Sequence, residues 1–190
     1  VGASGSGKSY FTRQFANQYR KLYPKRKIIL ISSLTEDSSI DKIKDLKRIK
    51  LTPEFLADNI QAEDFKDSLV IFDDCEALMD KRMKMKVQGI LNQLLTIGRH
   101  HNISVCELRH NATAGHETKL MLNEANSITM FPSGLGGRSL KYLLDQYLGL
   151  DKQQIKKLKN LKSRWVSVVK GFPMIVLSEK EAYILNSQDD

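Results

Sequence analysis

The sequence predicts an α/β fold: a mostly parallel central sheet flanked by helices, with antiparallel edge strands at the C-terminus. Three observations predict it. Apolar runs of strand length alternate with segments of helical period through the first two thirds of the chain. A glycine-rich turn at residues 2–9 leads directly into the first helical segment. Near residue 165 the pattern changes to short strands joined by tight turns.

The elements follow in order. Lys8 to Leu22 reads as a helix with an apolar, aromatic face at Phe11, Phe15 and Tyr19, and Pro24 ends it. Residues 27–32 form a short buried strand. Residues 34–50 are polar and charge-rich, which predicts a loop with a short helix. Pro53 to Ile60 fits a short helix with Thr52 as its cap and Pro53 in its first turn. Residues 68–73 are a continuous apolar strand ending in acid. A long helix is expected from Glu76 to Ile97, closed by Gly98.

Strands are then expected at 103–108 and 127–131, with a short helix at 118–123 between them. A glycine-rich loop covers 132–137. Helices at 139–148 and 151–161 are separated by Gly149. Strands at 165–169, 174–177 and 182–185 complete the chain. The 190 residues suit a single domain over 1–190, with a β-hairpin region at 165–185. An apolar strand must lead into the first glycine of such a loop, and Val1 alone stands for it, so residues are expected upstream.

Apolar residues make up 41% and charged residues 27%, an ordinary globular composition, and no apolar run is long enough to insert into a membrane. Cys75 and Cys106 lie in strand-like surroundings. They read as buried thiols of a reducing compartment, not as a disulfide or a metal site. Thirty basic residues against twenty-two acidic give a net charge of +8, which suits a polyanion such as nucleic acid or, equally, a solvated surface.

The chemistry concentrates in two segments. Gly2-Ala3-Ser4-Gly5-Ser6-Gly7-Lys8-Ser9 matches G-x-x-x-x-G-K-[ST] in full. Glycines let the backbone curl until its N–H groups face phosphate oxygens, and the helix beginning at Lys8 adds its positive end. Lys8 is expected at the β- and γ-phosphates, Ser9 on Mg²⁺, and the backbone of Tyr10 beside the nucleotide. The predicted cofactors are therefore ATP and Mg²⁺.

The second segment is Leu69-Val70-Ile71-Phe72-Asp73-Asp74, whose acids emerge at the carboxyl end of a buried strand, where ligands bind in open α/β sheets. Asp73 is expected to hold Mg²⁺. Asp74 is placed to polarise an attacking water, or to cap the following helix. After the strand at 103–108, His110 or Asn111 is the candidate to sense the γ-phosphate, the alternative being ordinary turn residues.

At Gly98-Arg99-His100-His101-Asn102-Ile103-Ser104-Val105 the sequence resembles the genome-packaging ATPases of large double-stranded DNA viruses, in the FtsK-HerA group of P-loop NTPases. Asn123-Glu124-Ala125, Phe131-Pro132 and Lys162-Ser163-Arg164-Trp165 also look like that family, and the order of motifs covers most of the chain. It departs in two places. His110 stands where the group usually has Gln, and Asp74 where it usually has Glu.

The resemblance implies a RecA-like fold and an ATP-driven double-stranded DNA translocase that packages a viral genome. It implies a homo-oligomeric ring in which a neighbouring subunit supplies an arginine to the γ-phosphate. Arg138 and Arg99 are the two candidates, and either is otherwise a surface or helix-end residue. It also implies capsid proteins as partners and a location in the host cytoplasm, at virus factories, or in the virion.

Basic residues cluster at Lys81, Arg82, Lys84 and Lys86, and residues 141–170 hold eight basic side chains against two acidic. With few aromatics among them, contacts to phosphates without sequence readout fit best, set against a solvated helix face or a subunit contact. Two other classes compete with the motor. One is a small-molecule or nucleoside kinase using the same loop. The other is a nucleotide-binding scaffold with a decayed site.

Overall fold

The computed structural model describes residues 1–112 and 116–185. The chain divides into two compact units, Gly7–Arg109 and a second made of Val1–Ser6 with the chain from His110 onward.

The first unit is a parallel α/β layer. Its helices are α1 (Lys8–Leu22), α2 (Pro53–Ala57) and α3 (Lys81–Ile97). Its strands are β1 (Lys27–Ser32), β2 (Leu46–Ile49), β3 (Ser68–Asp73) and β4 (Ile103–Glu107), all parallel, in the order β2-β1-β3-β4. Successive strand side chains point to opposite faces. Ile28, Leu30, Leu69 and Ile71 therefore pack with Ala16 and Tyr19 of α1, while Ile29, Ile31, Val70 and Phe72 pack with Val87, Ile90, Leu91 and Leu94 of α3. Each buried Val, Leu, Ile or Phe side chain among them contributes about 1.5–3 kcal/mol.

Strands β1 and β3 keep their expected bounds because runs buried on both faces leave no polar ambiguity. Four expectations are corrected. First, α1 does not bury Phe11 and Phe15: its buried residues are Lys8, Thr12, Ala16 and Tyr19, and Phe15 is 44% exposed. Lys8 points inward, so the positions one, two and three turns later share its face. Second, the polar segment 34–50 contains β2, an edge strand that pairs with β1 despite Lys47 and Arg48. An edge strand has only one partner and tolerates charge.

Third, α2 is shorter than expected, although Thr52 caps it, its hydroxyl accepting from Phe55 N–H. Fourth, no continuous helix starts at Glu76. A 3-10 turn occupies Cys75–Ala77, and α3 begins only at Lys81. Asp80 caps α3 by accepting from Arg82 and Met83 N–H. Gly98 follows α3 in a helical conformation and opens a 3-10 turn that reverses at Asn102, φ 55°.

The second unit is antiparallel. Its helices are α4 (His116–Glu124), α5 (Gly137–Lys141) and α6 (Lys152–Asn160). Its strands are β5 (Ser127–Met130), β6 (Val166–Val169), β7 (Met174–Ser178) and β8 (Ala182–Leu185), in that spatial order. A π-helical stretch at Tyr142–Tyr147 continues α5, Gly149 at φ 67° ends it, and Asp151 with Gln154 forms a capping box for α6. Val1 joins β5: its amino group donates to the Thr129 carbonyl at 2.7 Å, and Phe131 N–H donates to the Val1 carbonyl at 3.0 Å. That is the parallel ladder pattern expected of a strand entering the glycine-rich loop.

Candidate active site

The loop at residues 2–9 takes the shape that its glycines permit. Gly5 and Gly7 have φ of 72° and 105°, a region that side chains with a Cβ avoid. Gly2 is required for space, since a Cβ there would lie 2.7 Å from Ser6 Oγ and 2.9 Å from Phe131 Cβ. Ala3 N–H donates to the Gly134 carbonyl at 3.0 Å, and a Cβ on Gly134 would lie 3.1 Å from Ser6 Cβ. Residues 131–134 thus support the first half of the loop. Sequence reasoning missed this role of Gly134, because a glycine after Phe131-Pro132 reads only as loop.

Lys8 and Ser9 open α1, and Lys8 is 8% exposed. Its ammonium is pulled below the usual lysine range by burial, against the opposing charges of Asp74, Asp73 and Glu76. The loop lysine and the acids at and just after the end of β3 therefore share one electrostatic environment. Asp73, the last residue of β3, is 2% exposed. Asp74 is half-buried, with a left-handed backbone at φ 50°, and its carbonyl accepts from Ser33 Oγ at 2.7 Å. Asp80, not Asp74, caps the long helix, so the capping alternative for Asp74 does not hold.

The end of β4 holds a group that the sequence did not advertise. Arg109 is 3% exposed, and its Nε donates to Glu107 Oε1 at 2.6 Å, with Glu76 Oε1 at 3.8 Å. Burial pushes the Glu107 carboxyl up, and the adjacent Arg109 charge opposes this. The spacing Glu-x-Arg was the available signal, but His110 and Asn111, both exposed, are the more conspicuous polar residues after this strand. Arg99 and Arg138 are exposed as well. Cys75 and Cys106 are free thiols, pushed up by burial to about 12 and about 11.

The residues fit a magnesium nucleotide. Ser6 Oγ is buried without a hydrogen-bond partner among the described residues, a donor that a phosphate oxygen would satisfy. Ser9 and Asp73 offer hard oxygen ligands. Among the described residues no group of three His, Cys, Asp or Glu could hold a metal by itself.

Residues 1–118 match the family described as Zonular occludens toxin (Zot). The chain belongs to the Zot family. One relative, uncharacterized protein V3 of Sputnik virophage, is 36% identical over 187 residues, covering 97% of this chain and 75% of that protein. Among solved structures, the genome packaging NTPase B204 from Sulfolobus turreted icosahedral virus 2, in complex with ATP-gammaS, aligns with a TM-score of 0.57 at 15% identity. That match covers 98% of this chain and 94% of B204, so the expected P-loop α/β fold is borne out in this Zot-family chain. No described helix is long and apolar enough to cross a membrane.

Proposed function

We propose that this Zot-family chain is an ATPase that drives double-stranded DNA into a viral capsid. One observation carries the reading: Lys8 of the phosphate loop lies within the electrostatic reach of Asp73 and Asp74 at the carboxyl end of β3. A site that binds a magnesium nucleotide without turning it over needs only the carboxylate for the metal. A hydrolase needs one carboxylate for the metal and one for water. Support for the packaging role comes from the virophage relative and from the fold shared with a protein described as a genome packaging NTPase.

We assign the roles as follows. Backbone N–H groups of residues 2–9 and the start of α1 hold the phosphates, with Lys8 neutralising the β- and γ-oxygens and Tyr10 following on the first helical turn. Ser9 and Asp73 hold Mg²⁺, which when bound supplies charge neutralisation to the phosphates. Asp74 polarises the attacking water. His110 or Asn111 reads the γ-phosphate. Arg138, or Arg99, is exposed as a residue acting on a neighbouring subunit of a ring must be.

Exposed Lys152, Lys156, Lys159, Lys162 and Arg164 offer contacts to duplex phosphates. Other cations already have structural tasks. Lys86 Nζ donates to the carbonyls of Leu56 and Asp58 at the end of α2. Lys170 Nζ does the same for Leu122 and Asn123 at the end of α4. Capsid proteins are the expected partners, in the virus factory or the virion.

The test is ATP turnover with and without duplex DNA. DNA-stimulated hydrolysis is the expected result. Phosphate transfer to a metabolite would replace the motor with a kinase, and binding without turnover would leave a scaffold.

A further inference from the structure

The strand beside the acidic strand ends in a charge pair that none of these roles uses. Arg109 and Glu107 are held together at 2.6 Å, and the backbone between them is pinned to β3, since Leu108 N–H donates to the Phe72 carbonyl at 2.8 Å. The pair is therefore fixed beside the residue that precedes Asp73.

Such a pair is a poor choice for filling a core. Apolar side chains of similar volume usually serve stability as well or better. Arg109 Nη1 and Glu107 Oε2 are moreover buried without a hydrogen-bond partner among the described residues, an arrangement that stability alone disfavours. What the pair does achieve is to set a fixed positive charge 3.8 Å from Glu76 Oε1.

Glu76 is well placed for chemistry. It sits on the 3-10 turn two residues beyond Asp74, and its charge reaches Lys8 together with those of Asp73 and Asp74. Its side chain is 25% exposed and is one methylene longer than that of Asp74. Asp74 is tied through its carbonyl to Ser33 in a left-handed turn, and Glu76 follows it by two residues.

We propose that Glu76 is a second water-polarising carboxylate of the site, and that Arg109, anchored by Glu107, is its positioning residue. The inference rests on the hydrolytic reading above. As the water oxygen bonds to the γ-phosphorus, the bond from that phosphorus to the bridging oxygen of ADP breaks. Glu76 accepts the water proton and releases it to solvent through its exposed side. ADP and inorganic phosphate leave. The Arg109 charge holds the carboxylate in place before the proton moves.

The experiment uses the full chain with Mg-ATP and duplex DNA, measuring kcat by phosphate release and affinity with a fluorescent non-hydrolysable ATP analogue. Glu76→Gln should lower kcat by roughly 10²-fold or more with affinity unchanged, the scale of a lost general base. The double variant Glu107→Leu, Arg109→Met removes both buried charges while keeping apolar volume. It should bind the analogue normally, show a comparable loss of kcat, and add little to the loss when combined with Glu76→Gln. Arg109→Lys, which keeps the charge, should recover part of the rate.

A double variant with wild-type kcat would mean that the pair is structural, and would overturn the positioning role. An active wild type with an equally active Glu76→Gln overturns this inference alone. A wild type without ATPase activity overturns the hydrolytic reading and this inference together.

Discussion

In the parallel unit Lys8, Asp73 and Arg109 are buried, whereas in the antiparallel unit Lys152, Lys156, Lys159, Lys162 and Arg164 are exposed. The first set lies at strand ends and at a helix start, where backbone geometry fixes each side chain. The second set lies on α6, which is capped by Asp151 and packs Leu158 into the core, and in the segment after it. Buried charge is expensive and survives only with partners, so it marks places where reaction geometry must be exact to within a fraction of an ångström. Exposed charge is inexpensive and hydrated, and suits a partner that slides. The exceptions support the distinction, since Lys86 and Lys170 in the basic segments are engaged with carbonyls at helix ends.

The largest test of this contrast is Lys8→Ala. Hydrolysis should fall by at least ~10³-fold while the fold persists, because a preorganised donor to the phosphates is lost. Near-normal phosphate release would remove the site from the loop. Next in size is the arginine proposed to act across subunits. Arg138→Ala should cost roughly 10³–10⁵ in rate. Mixing it with Lys8→Ala subunits should restore part of the activity, and absence of rescue in assembled mixtures would point to Arg99.

Asp74→Asn should leave ATP binding intact and slow turnover by about 10²–10⁴-fold. Comparing this loss with that of Glu76→Gln assigns the larger share of the water chemistry. The smallest effect belongs to the exposed set. Replacing Lys152, Lys156 and Lys159 with Ala should weaken duplex binding at every sequence alike. The slope of log affinity against log salt should flatten by about 0.9 for each DNA phosphate that is no longer neutralised. An unchanged slope would return these lysines to the role of a solvated face.

Particular residues explain how much could be read in advance. Strands at 27–32 and 68–73 were legible because each is an unbroken apolar run ending where the sheet ends. The loop was legible because its glycines satisfy a backbone demand that is local in sequence. The orientation of α1 was not. Phe11 and Phe15 outrank Thr12 and Ala16 in hydrophobicity, yet the inward Lys8 sets the rotation of the helix. Strand β2 was hidden by Lys47 and Arg48, since an edge position removes the alternation that would have announced it.

The sequence by itself determined the phosphate-loop motif and the pair of acids at the tip of β3, because both depend on residue types at fixed short spacings. It also determined the change from parallel to antiparallel order, which follows from strand period and turn length. Only the tertiary structure decided that Arg109 is buried against Glu107 and faces Glu76, thirty-three residues away in the chain. It also decided which lysines cap helix ends and which remain in water. Those choices depend on what neighbouring strands and helices bring within about 4 Å, a distance over which charges in a protein interact strongly and which spacing along one chain does not encode.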